Sequence, residues 1–345
     1  MNRDVVSFLI CPDCNCETLN LEVYSFSGRD QVVDGCLICS KCSHWFRIEN
    51  GIIDLLPMNL RETNVERFVL KSERFAKKYG LALTQYKGAG RRTRLSDKTK
   101  PIGAFEDVPE YEATVVNNPY YRALDQIAFH DWMMRNLTDK DFVLDIGCGT
   151  GRQCVPLAES GIRTIGIDVD EDMIVLAERK LEERNLKKLV DLVIADGQNP
   201  PVKNSSFSAC VLYGVLHHMN DKASAIVNAS AKISSGGLVY SLDPHKSFAR
   251  AAFDMLMNIW KLYVEEASDD PLMTEQQLLA WMNRGGISGE VKLSTYLPPH
   301  VFWWSASLNV WLLRTSDKVF SYIPWLQKAG GVIIFEGKKD SNAIF

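Results

Sequence analysis

An apolar run that stops at three alternating glycines constrains this chain of 345 residues more than any other feature. Residues 143–153 read Val-Leu-Asp-Ile-Gly-Cys-Gly-Thr-Gly-Arg-Gln and precede a stretch with helical character. Glycine has no Cβ and tolerates positive φ, so a strand that ends in such a turn lets its backbone pass close to a bound molecule. The run therefore predicts a β–α unit with a ligand at the carboxyl end of its strand.

A second apolar strand is predicted over residues 164–170, about twenty residues after the glycine run, a separation found at nucleoside sites. It ends in Asp168, whose carboxylate is suited to accept hydrogen bonds from both ribose hydroxyls. A dinucleotide site needs the spacing G-x-G-x-x-G, which leaves room for a pyrophosphate, whereas this chain has D-x-G-x-G-x-G. The two strands together predict a nucleoside site.

The run from Asp145 to Gly151 resembles motif I of the class I S-adenosylmethionine-dependent methyltransferases. Residues 193–197 and 207–219 resemble, in the expected order, the third strand and the fourth strand with its exit loop. The resemblance implies an α/β fold with a Rossmann-like, seven-stranded sheet that has helices on both faces. It also implies S-adenosylmethionine as the cofactor, with the adenine near Asp196 and the amino-acid moiety near Asp145. The residues expected to bind it are Asp145, Gly147, Gly149, Gly151, Asp168, Val169, Asp196, Gly197, Tyr213 and Tyr121.

Six of the nine cysteines fall within residues 11–42, where they form two C-x-x-C turns. Two such turns direct four thiolates to one point, a geometry that Zn²⁺ accepts tetrahedrally. We expect the ligands Cys11, Cys14, Cys39 and Cys42. Cys36-Leu-Ile-Cys39 has the same spacing, so an alternative register would use Cys36 in place of one of them.

Residues 7–57 resemble the small zinc-ribbon family that includes the activator subunit of eukaryotic tRNA methyltransferases. Members of that family pair with methyltransferases or are fused ahead of them. This agrees with the methyltransferase-like motifs that follow in the same chain. We therefore predict a zinc-ribbon domain over residues 1–58, a basic connector over 59–108 and a methyltransferase domain over 109–345. The last contains an aromatic-rich insertion at about 245–330.

Charge and hydropathy bound the possible partners and compartment. The chain has a net charge of −4, yet residues 61–100 carry 12 Lys and Arg against 4 Asp and Glu. This concentration of positive charge predicts either contact with phosphates, of RNA or of a membrane surface, or a solvated connector.

The aromatic residues between 300 and 325 predict a lid over an apolar acceptor, a membrane-surface patch, a protein interface or simply core. No long uncharged apolar run and no secretory start occur, so the cytoplasm is the expected compartment.

Candidate catalytic residues follow the fourth and fifth strands. A neutral imidazole near pH 7 can deprotonate a hydroxyl or an activated carbon acid, which makes His217 and His218 candidates. Asp243 and His245 follow the fifth strand, at the edge where open α/β sheets bind ligands. We expect methyl transfer to an oxygen or carbon of a small or lipid-like acceptor. The alternatives are methylation of rRNA or tRNA and a non-catalytic adaptor built on the zinc ribbon.

Overall fold

The computed structural model describes residues 1–28, 31–57, 65–81, 108–248, 272–295, 305–323, 326 and 328–341. Its strands are β1 Leu19–Ser27, β2 Gln31–Cys39, β3 Trp45–Glu49, β4 Ile52–Asp54, β5 Phe142–Ile146, β6 Arg163–Asp168, β7 Val190–Ile194, β8 Phe207–Tyr213, β9 Ile233–Pro244, β10 Ile287–Ser294 and β11 Val332–Lys339. Its α-helices are α1 Val65–Tyr79, α2 Val108–Tyr111, α3 Pro119–Asp125, α4 Asp131–Asn136, α5 Cys154–Glu159, α6 Glu171–Glu183, α7 Lys222–Lys232, α8 Glu275–Arg284 and α9 Ala306–Ser321.

Seven of these strands form the predicted Rossmann-like sheet, in the order β7-β6-β5-β8-β9-β11-β10. β5 pairs in parallel with β6 and β8, whereas β11 runs antiparallel to both β9 and β10. Strands such as β5 and β7 are buried nearly throughout, as expected for parallel strands with both faces covered. The predicted seven-stranded sheet is confirmed.

The amino-terminal ribbon continues the same sheet instead of standing apart from it. β1 to β4 are antiparallel to one another, and β4 pairs in parallel with β7 through Ile53 with Val193 and Asp54 with Ile194. The described strands thus form one eleven-stranded sheet. The ribbon and the larger sheet also share one apolar core, in which residues such as Leu9 and Phe46 belong to the same cluster as Ile165.

A buried ion-pair cluster joins the ribbon to the larger sheet. Arg47 on β3 is 3% exposed, and its Nε donates to Asp54 Oδ2 at 3.0 Å. Its other nitrogens donate to Glu49 at 2.9 Å and to Glu171, at the start of α6, at 2.8 Å. Lys71 of α1 reaches the same Glu171 carboxylate at 2.6 Å. One guanidinium therefore ties β3, β4 and α6 together.

The segment before the seven-stranded sheet is helical, but two π-helical stretches interrupt it at Glu112–Val116 and Gln126–His130. Asn118 caps α3, since its side chain accepts the Tyr120 N–H at 2.9 Å and proline follows at the first helical position. α3 packs against α9, and both lie on the sheet face that buries Phe129, Trp132 and Tyr240.

The Ser-Ser-Gly-Gly sequence at residues 234–237, which is typical of a turn, lies inside β9. β9 begins at Ile233, and a register shift between Phe207 and Ala209 of β8 accommodates the extra residues as a bulge. Gly236 has φ +73° there. A glycine within a strand is a frequent mark of such a bulge, so the Ser-Ser-Gly-Gly sequence bends a strand instead of ending one.

Candidate functional site

The glycine loop after β5 adopts the left-handed backbone that glycine permits. Gly147, Gly149 and Gly151 have φ values of +76°, +51° and +81°. A Cβ on Gly147 would lie 2.2 Å from Cγ2 of Val215, so this position has no room for a side chain. A Cβ on Gly149 would meet no atom within 4 Å. The middle of the loop therefore borders open space, as a cradle for a ligand requires.

Asp168 ends β6 beside this loop. Its Oδ2 accepts the Gly149 N–H at 2.8 Å, and its Oδ1 accepts the Asp170 N–H at 2.9 Å. Burial raises the pKa of the Asp168 carboxyl to about 6, against the lowering effect of these backbone hydrogen bonds. Each carboxylate oxygen has a second lone pair, so the group fits the hydroxyls of a ribose.

Asp145 is 1% exposed near the end of β5. Its Oδ2 accepts a hydrogen bond from the Cys154 thiol at 3.3 Å, while Oδ1 has no partner among the described residues. Burial raises the pKa of Asp145 to about 7. An orphaned buried carboxylate oxygen fits a donor group of a bound molecule. The loop and both carboxylates are thus compatible with S-adenosylmethionine.

The remaining predicted contacts lie at the ends of the neighbouring strands. Val169 follows Asp168 directly and is half-buried, and Asp196 follows β7, where its Oδ1 accepts the Gln198 N–H at 2.9 Å. Burial raises the pKa of Asp196. A Cβ on Gly197 would lie 2.9 Å from Ile146, so the chain passes close to the end of β5 there. These residues meet at one edge of the sheet, and their contact with a cofactor stays a prediction.

Arg152, which the sequence analysis did not single out, organises the two predicted tyrosines. Its guanidinium donates to Asp125 through Nε at 2.9 Å and lies 5.1 Å from the ring centre of Tyr213 and 5.7 Å from that of Tyr121. The buried Tyr213 hydroxyl donates to Asp125 Oδ1 at 2.7 Å. Arg152 directly follows the third glycine, so its position in the motif already indicated that it lies near the glycine loop.

A second polar cluster attaches the entry segment to the glycine loop. Thr150 Oγ1 donates to Glu112 Oε1 at 2.5 Å, and Lys180 of α6 donates to the same oxygen at 2.7 Å. Glu112 lies in the first π-helical stretch, and Thr150 lies between two of the loop glycines. The segment before the sheet is therefore held over the loop by hydrogen bonds, and sequence spacing carried no signal for this contact.

His217 and Asp243 form a buried pair at the carboxyl ends of β8 and β9. Nδ1 of His217 lies 2.8 Å from Asp243 Oδ1, and the His217 backbone N–H donates to the same oxygen at 3.1 Å. Burial raises the pKa of Asp243, and its Oδ2 has no hydrogen-bond partner among the described residues. The His218 ring lies 3.9 Å from that of His217, and burial lowers the pKa of His218 to about 3.

His245 is placed differently from this pair. Its Nδ1 lies 2.8 Å from the Gly330 carbonyl oxygen, and its backbone N–H donates to the Gly331 carbonyl at 3.0 Å. The side chain is buried, and these bonds tie the residue after β9 to the segment that leads into β11. A catalytic role for His245 stays a prediction.

The four cysteines of the C-x-x-C turns come together as the sequence predicts. The sulfur atoms of Cys11, Cys14, Cys39 and Cys42 all lie within 4.8 Å of one another, and two of the pairs are 3.6 and 3.5 Å apart. Zinc–sulfur bonds of about 2.3 Å in a tetrahedron separate the sulfurs by about 3.8 Å, so this cluster fits structural Zn²⁺.

Cys36 lies outside the cluster, so the alternative register finds no support. Its Sγ is 3.1 Å from the Tyr24 hydroxyl oxygen and is buried under α1 with Phe75. His44 lies beside the second C-x-x-C turn, where its Nδ1 is 2.7 Å from Asp13 Oδ2.

Comparison with known proteins agrees with the site at the glycine loop and with the four-cysteine cluster. Residues 144–241 match the family model described as a methyltransferase domain, and residues 2–51 match that of the Trm112p-like proteins. The chain contains a class I methyltransferase domain. Its zinc ribbon is a Trm112p-like domain. Both family resemblances predicted from the motifs are confirmed, and with them the expected S-adenosylmethionine and zinc.

Several curated proteins resemble part of the chain. A Methanocaldococcus jannaschii protein, named as uncharacterized protein MJ1252, is 32% identical over 106 residues, which is 30% of this chain and 36% of that protein. O-methyltransferase rstn1 of Aspergillus nomiae is 30% identical over 95 residues, 27% of this chain and 42% of that protein. The ubiquinone biosynthesis O-methyltransferase of Aromatoleum aromaticum is 30% identical over 129 residues, 36% of this chain and 54% of that protein. The chain thus spans between about a third and about half of the length of these relatives.

The predicted partner surfaces are described only in part. The arginines of the basic segment, Arg91, Arg92 and Arg94, lie outside the described residues, as do the aromatic residues 300–304 and Trp325. Trp311 and Tyr322 are described and exposed. Among the helices that the structure describes, none has the length and hydropathy to cross a membrane.

Proposed function

We propose that this protein transfers the methyl group of S-adenosylmethionine to an oxygen or carbon of a small or lipid-like acceptor. The observation that carries the proposal is the arrangement at one edge of the sheet. The open glycine loop follows β5, Asp168 ends β6 on one side of it, and the buried His217–Asp243 pair lies at the ends of β8 and β9 on the other side. The relatives named as O-methyltransferases support an oxygen acceptor. When bound, the cofactor supplies an electrophilic methyl group.

Alignment and proton removal are the contributions that this chain's own residues would make. In-line displacement needs orientation and exclusion of water, and a base only where the acceptor is acidic. Nδ1 of His217 lies 2.8 Å from Asp243 Oδ1, so the carboxylate orients the ring. We propose that His217 takes the acceptor's proton through its other ring nitrogen, Nε2, and that Asp243 acts as a positioning residue. His218 has a pKa of about 3, so it stays neutral and acts by packing on His217.

We propose that the methyltransferase domain of the same chain is the partner of the Trm112p-like domain. Its β4 strand pairs with β7, and Arg47 binds Glu171 of α6. Asp168 ends the strand next to β7, and Asp170 caps α6. We propose that the ribbon stabilises the cofactor edge of the sheet by this pairing.

Paired measurements of cofactor affinity and turnover test this function. Calorimetric titration with S-adenosylhomocysteine should show binding, and a panel of phenols and hydroquinones should contain an acceptor. His217→Asn should then lower kcat by about 100-fold or more while leaving affinity for S-adenosylhomocysteine unchanged. His245→Asn is the matched control, because that histidine is equally buried but bonds a backbone carbonyl.

Each result separates the proposal from its alternatives. A folded, zinc-loaded protein that does not bind S-adenosylhomocysteine would support a non-catalytic adaptor. Methylation of RNA that weakens steeply with salt, and no reaction with small hydroxyl compounds, would support an RNA acceptor. Equal loss of turnover in the His217 and His245 variants would refute a proton-transfer role for His217.

A further inference from the structure

Three glycines give the loop after β5 more backbone freedom than other residue types would allow. Gly147, Gly149 and Gly151 all have positive φ, and glycine loses more conformational entropy on ordering than any other residue. A contact that holds the loop in its final shape before a ligand arrives lowers the free-energy cost of binding. Thr150 lies between two of these glycines and is fully buried, so its side chain is in a position to make such a contact.

Thr150 belongs to a closed triangle of hydrogen bonds. Its Oγ1 donates to Glu112 Oε1 at 2.5 Å, and Lys180 Nζ donates to the same oxygen at 2.7 Å and to Thr150 Oγ1 at 3.0 Å. The side chains of Glu112 and Lys180 are 16 and 19% exposed. Hydrogen bonds that involve a charged group and are shielded from water are stronger than an exposed surface pair. The triangle therefore fixes the Thr150 side chain between α6 and the entry segment, residues 108–136.

The entry segment contacts the loop at a second residue. Asp125 Oδ2 accepts from Arg152 Nε at 2.9 Å, and Asp125 Oδ1 lies 2.7 Å from another nitrogen of the same guanidinium. Glu112 begins the first π-helical stretch, and Asp125 directly precedes the second. Such π-helical turns are rare, and they recur at functional sites. The two carboxylates thus hold the residues on either side of Gly151, while the space beside Gly149 stays open.

We propose that Glu112 is a positioning residue for S-adenosylmethionine: through Thr150 and Lys180 it holds the glycine loop in the shape that receives the cofactor. Glu112 Oε1 accepts from two side chains of the protein, so its part is to orient the loop. When the bond to Thr150 is lost, the glycines regain their freedom, and cofactor binding must order them again. The inference rests on the cofactor of the proposed function and is independent of the acceptor and of His217.

Thr150→Val in the full chain tests it, because valine has nearly the size of threonine but lacks the hydroxyl. Glu112 and Lys180 still pair with each other at 2.7 Å, so the substitution leaves neither charge without its partner. In calorimetric titration, the Kd for S-adenosylhomocysteine should rise about tenfold, as expected for the loss of one hydrogen bond to a charged group. Thr150→Ser keeps the hydroxyl and should keep the Kd within about twofold. Thr164→Val is the matched control, because Thr164 is equally buried but lies at the amino end of β6.

A second measurement separates positioning from general stability. Hydrogen exchange of the amides in residues 147–152 should be faster in ligand-free Thr150→Val than in the unaltered protein, while the two melting temperatures stay close. If Thr150→Val does not fold, Glu112→Ala removes the same bond and should give the same rise in Kd. An unchanged Kd in the folded variant, or an equal rise in Thr164→Val, would overturn the inference and leave the cofactor assignment intact. An unaltered protein that binds no S-adenosylhomocysteine would overturn the cofactor assignment and this inference with it.

Discussion

Gly149→Ala separates ligand binding from folding more cleanly than any other single change in the glycine loop. A Cβ at this position would meet no protein atom within 4 Å, so the substitution creates no clash in the protein itself. The backbone there has φ +51°, and a left-handed alanine costs about 1–2 kcal/mol. The Gly149 N–H that Asp168 accepts is retained. We therefore expect a folded protein whose Tm falls by a few degrees.

Ligand affinity should fall much further than stability. The added methyl group occupies the space in which the cofactor is expected to lie, and overpacking of a well-filled site costs about 1–3 kcal/mol. That range corresponds to a weakening of the Kd of about 5- to 150-fold. Calorimetric titration with S-adenosylhomocysteine measures it, with melting curves of the same samples.

Gly236→Ala provides the matched control. Gly236 has φ +73° and no atom within 4 Å of its Cβ position, so the backbone cost is comparable. It lies at the amino end of β9, opposite the edge that carries the glycine loop. Gly147→Ala should instead destabilise the fold, because its Cβ would lie 2.2 Å from Val215. Unchanged affinity in a folded Gly149→Ala protein would refute the assignment of the open space to the cofactor.

Three further predictions concern the zinc cluster, the buried arginine and the ribose-site carboxylate. Cys39→Ser should lose zinc, measured by atomic absorption, whereas Cys36→Ser should retain it because that sulfur lies outside the cluster. Arg47→Met should lower the free energy of unfolding by about 3–5 kcal/mol in denaturant titrations, since it leaves Asp54 buried without its cation. Affinity for S-adenosylhomocysteine should fall as pH is lowered through about 6, where Asp168 takes up a proton and loses acceptor capacity, and Asp168→Asn should remove that part of the pH dependence.

Distinct outcomes would contradict each of these three. Full zinc content in Cys39→Ser would shift the ligand set toward Cys36. A loss below about 1 kcal/mol for Arg47→Met would mean that the ion-pair cluster behaves like a solvated surface pair. An Asp168→Asn protein with the wild-type pH profile would assign the titration to another group, with Asp145 the first candidate because its pKa is about 7.

Features encoded over short stretches were predictable from the sequence. The glycine loop and the strands before and after it depend on local apolar runs and on residues that tolerate positive φ, such as Gly147 and Gly149. Each zinc knuckle is likewise a local turn, with positive φ at Asn15 and at Ser43 in equivalent positions after the second cysteine. The choice between Cys36 and Cys39 was open, because both belong to C-x-x-C pairs and only the direction of β2 separates them.

The contacts that join distant stretches were not predictable. β4 has only three residues, too few for a recognisable pattern, yet it joins the ribbon to β7. The pairing of Arg152 with Asp125 and of His217 with Asp243 joins side chains from different elements, and no spacing rule connects them. The exposure of Trp311 was not predictable either. Aromatic residues at helical spacing form the same sequence pattern whether the helix face is buried or exposed.

The sequence by itself determined the class of this protein, because the motifs of its cofactor loop and zinc knuckles are short-range consequences of glycine geometry and thiolate chemistry. Only the tertiary structure decided that ribbon and methyltransferase domain form one sheet with one core. It also decided which histidine has a carboxylate partner and which face of α9 meets water. Those outcomes depend on burial and on contacts between residues far apart in the chain, and neither quantity is a property of a local pattern.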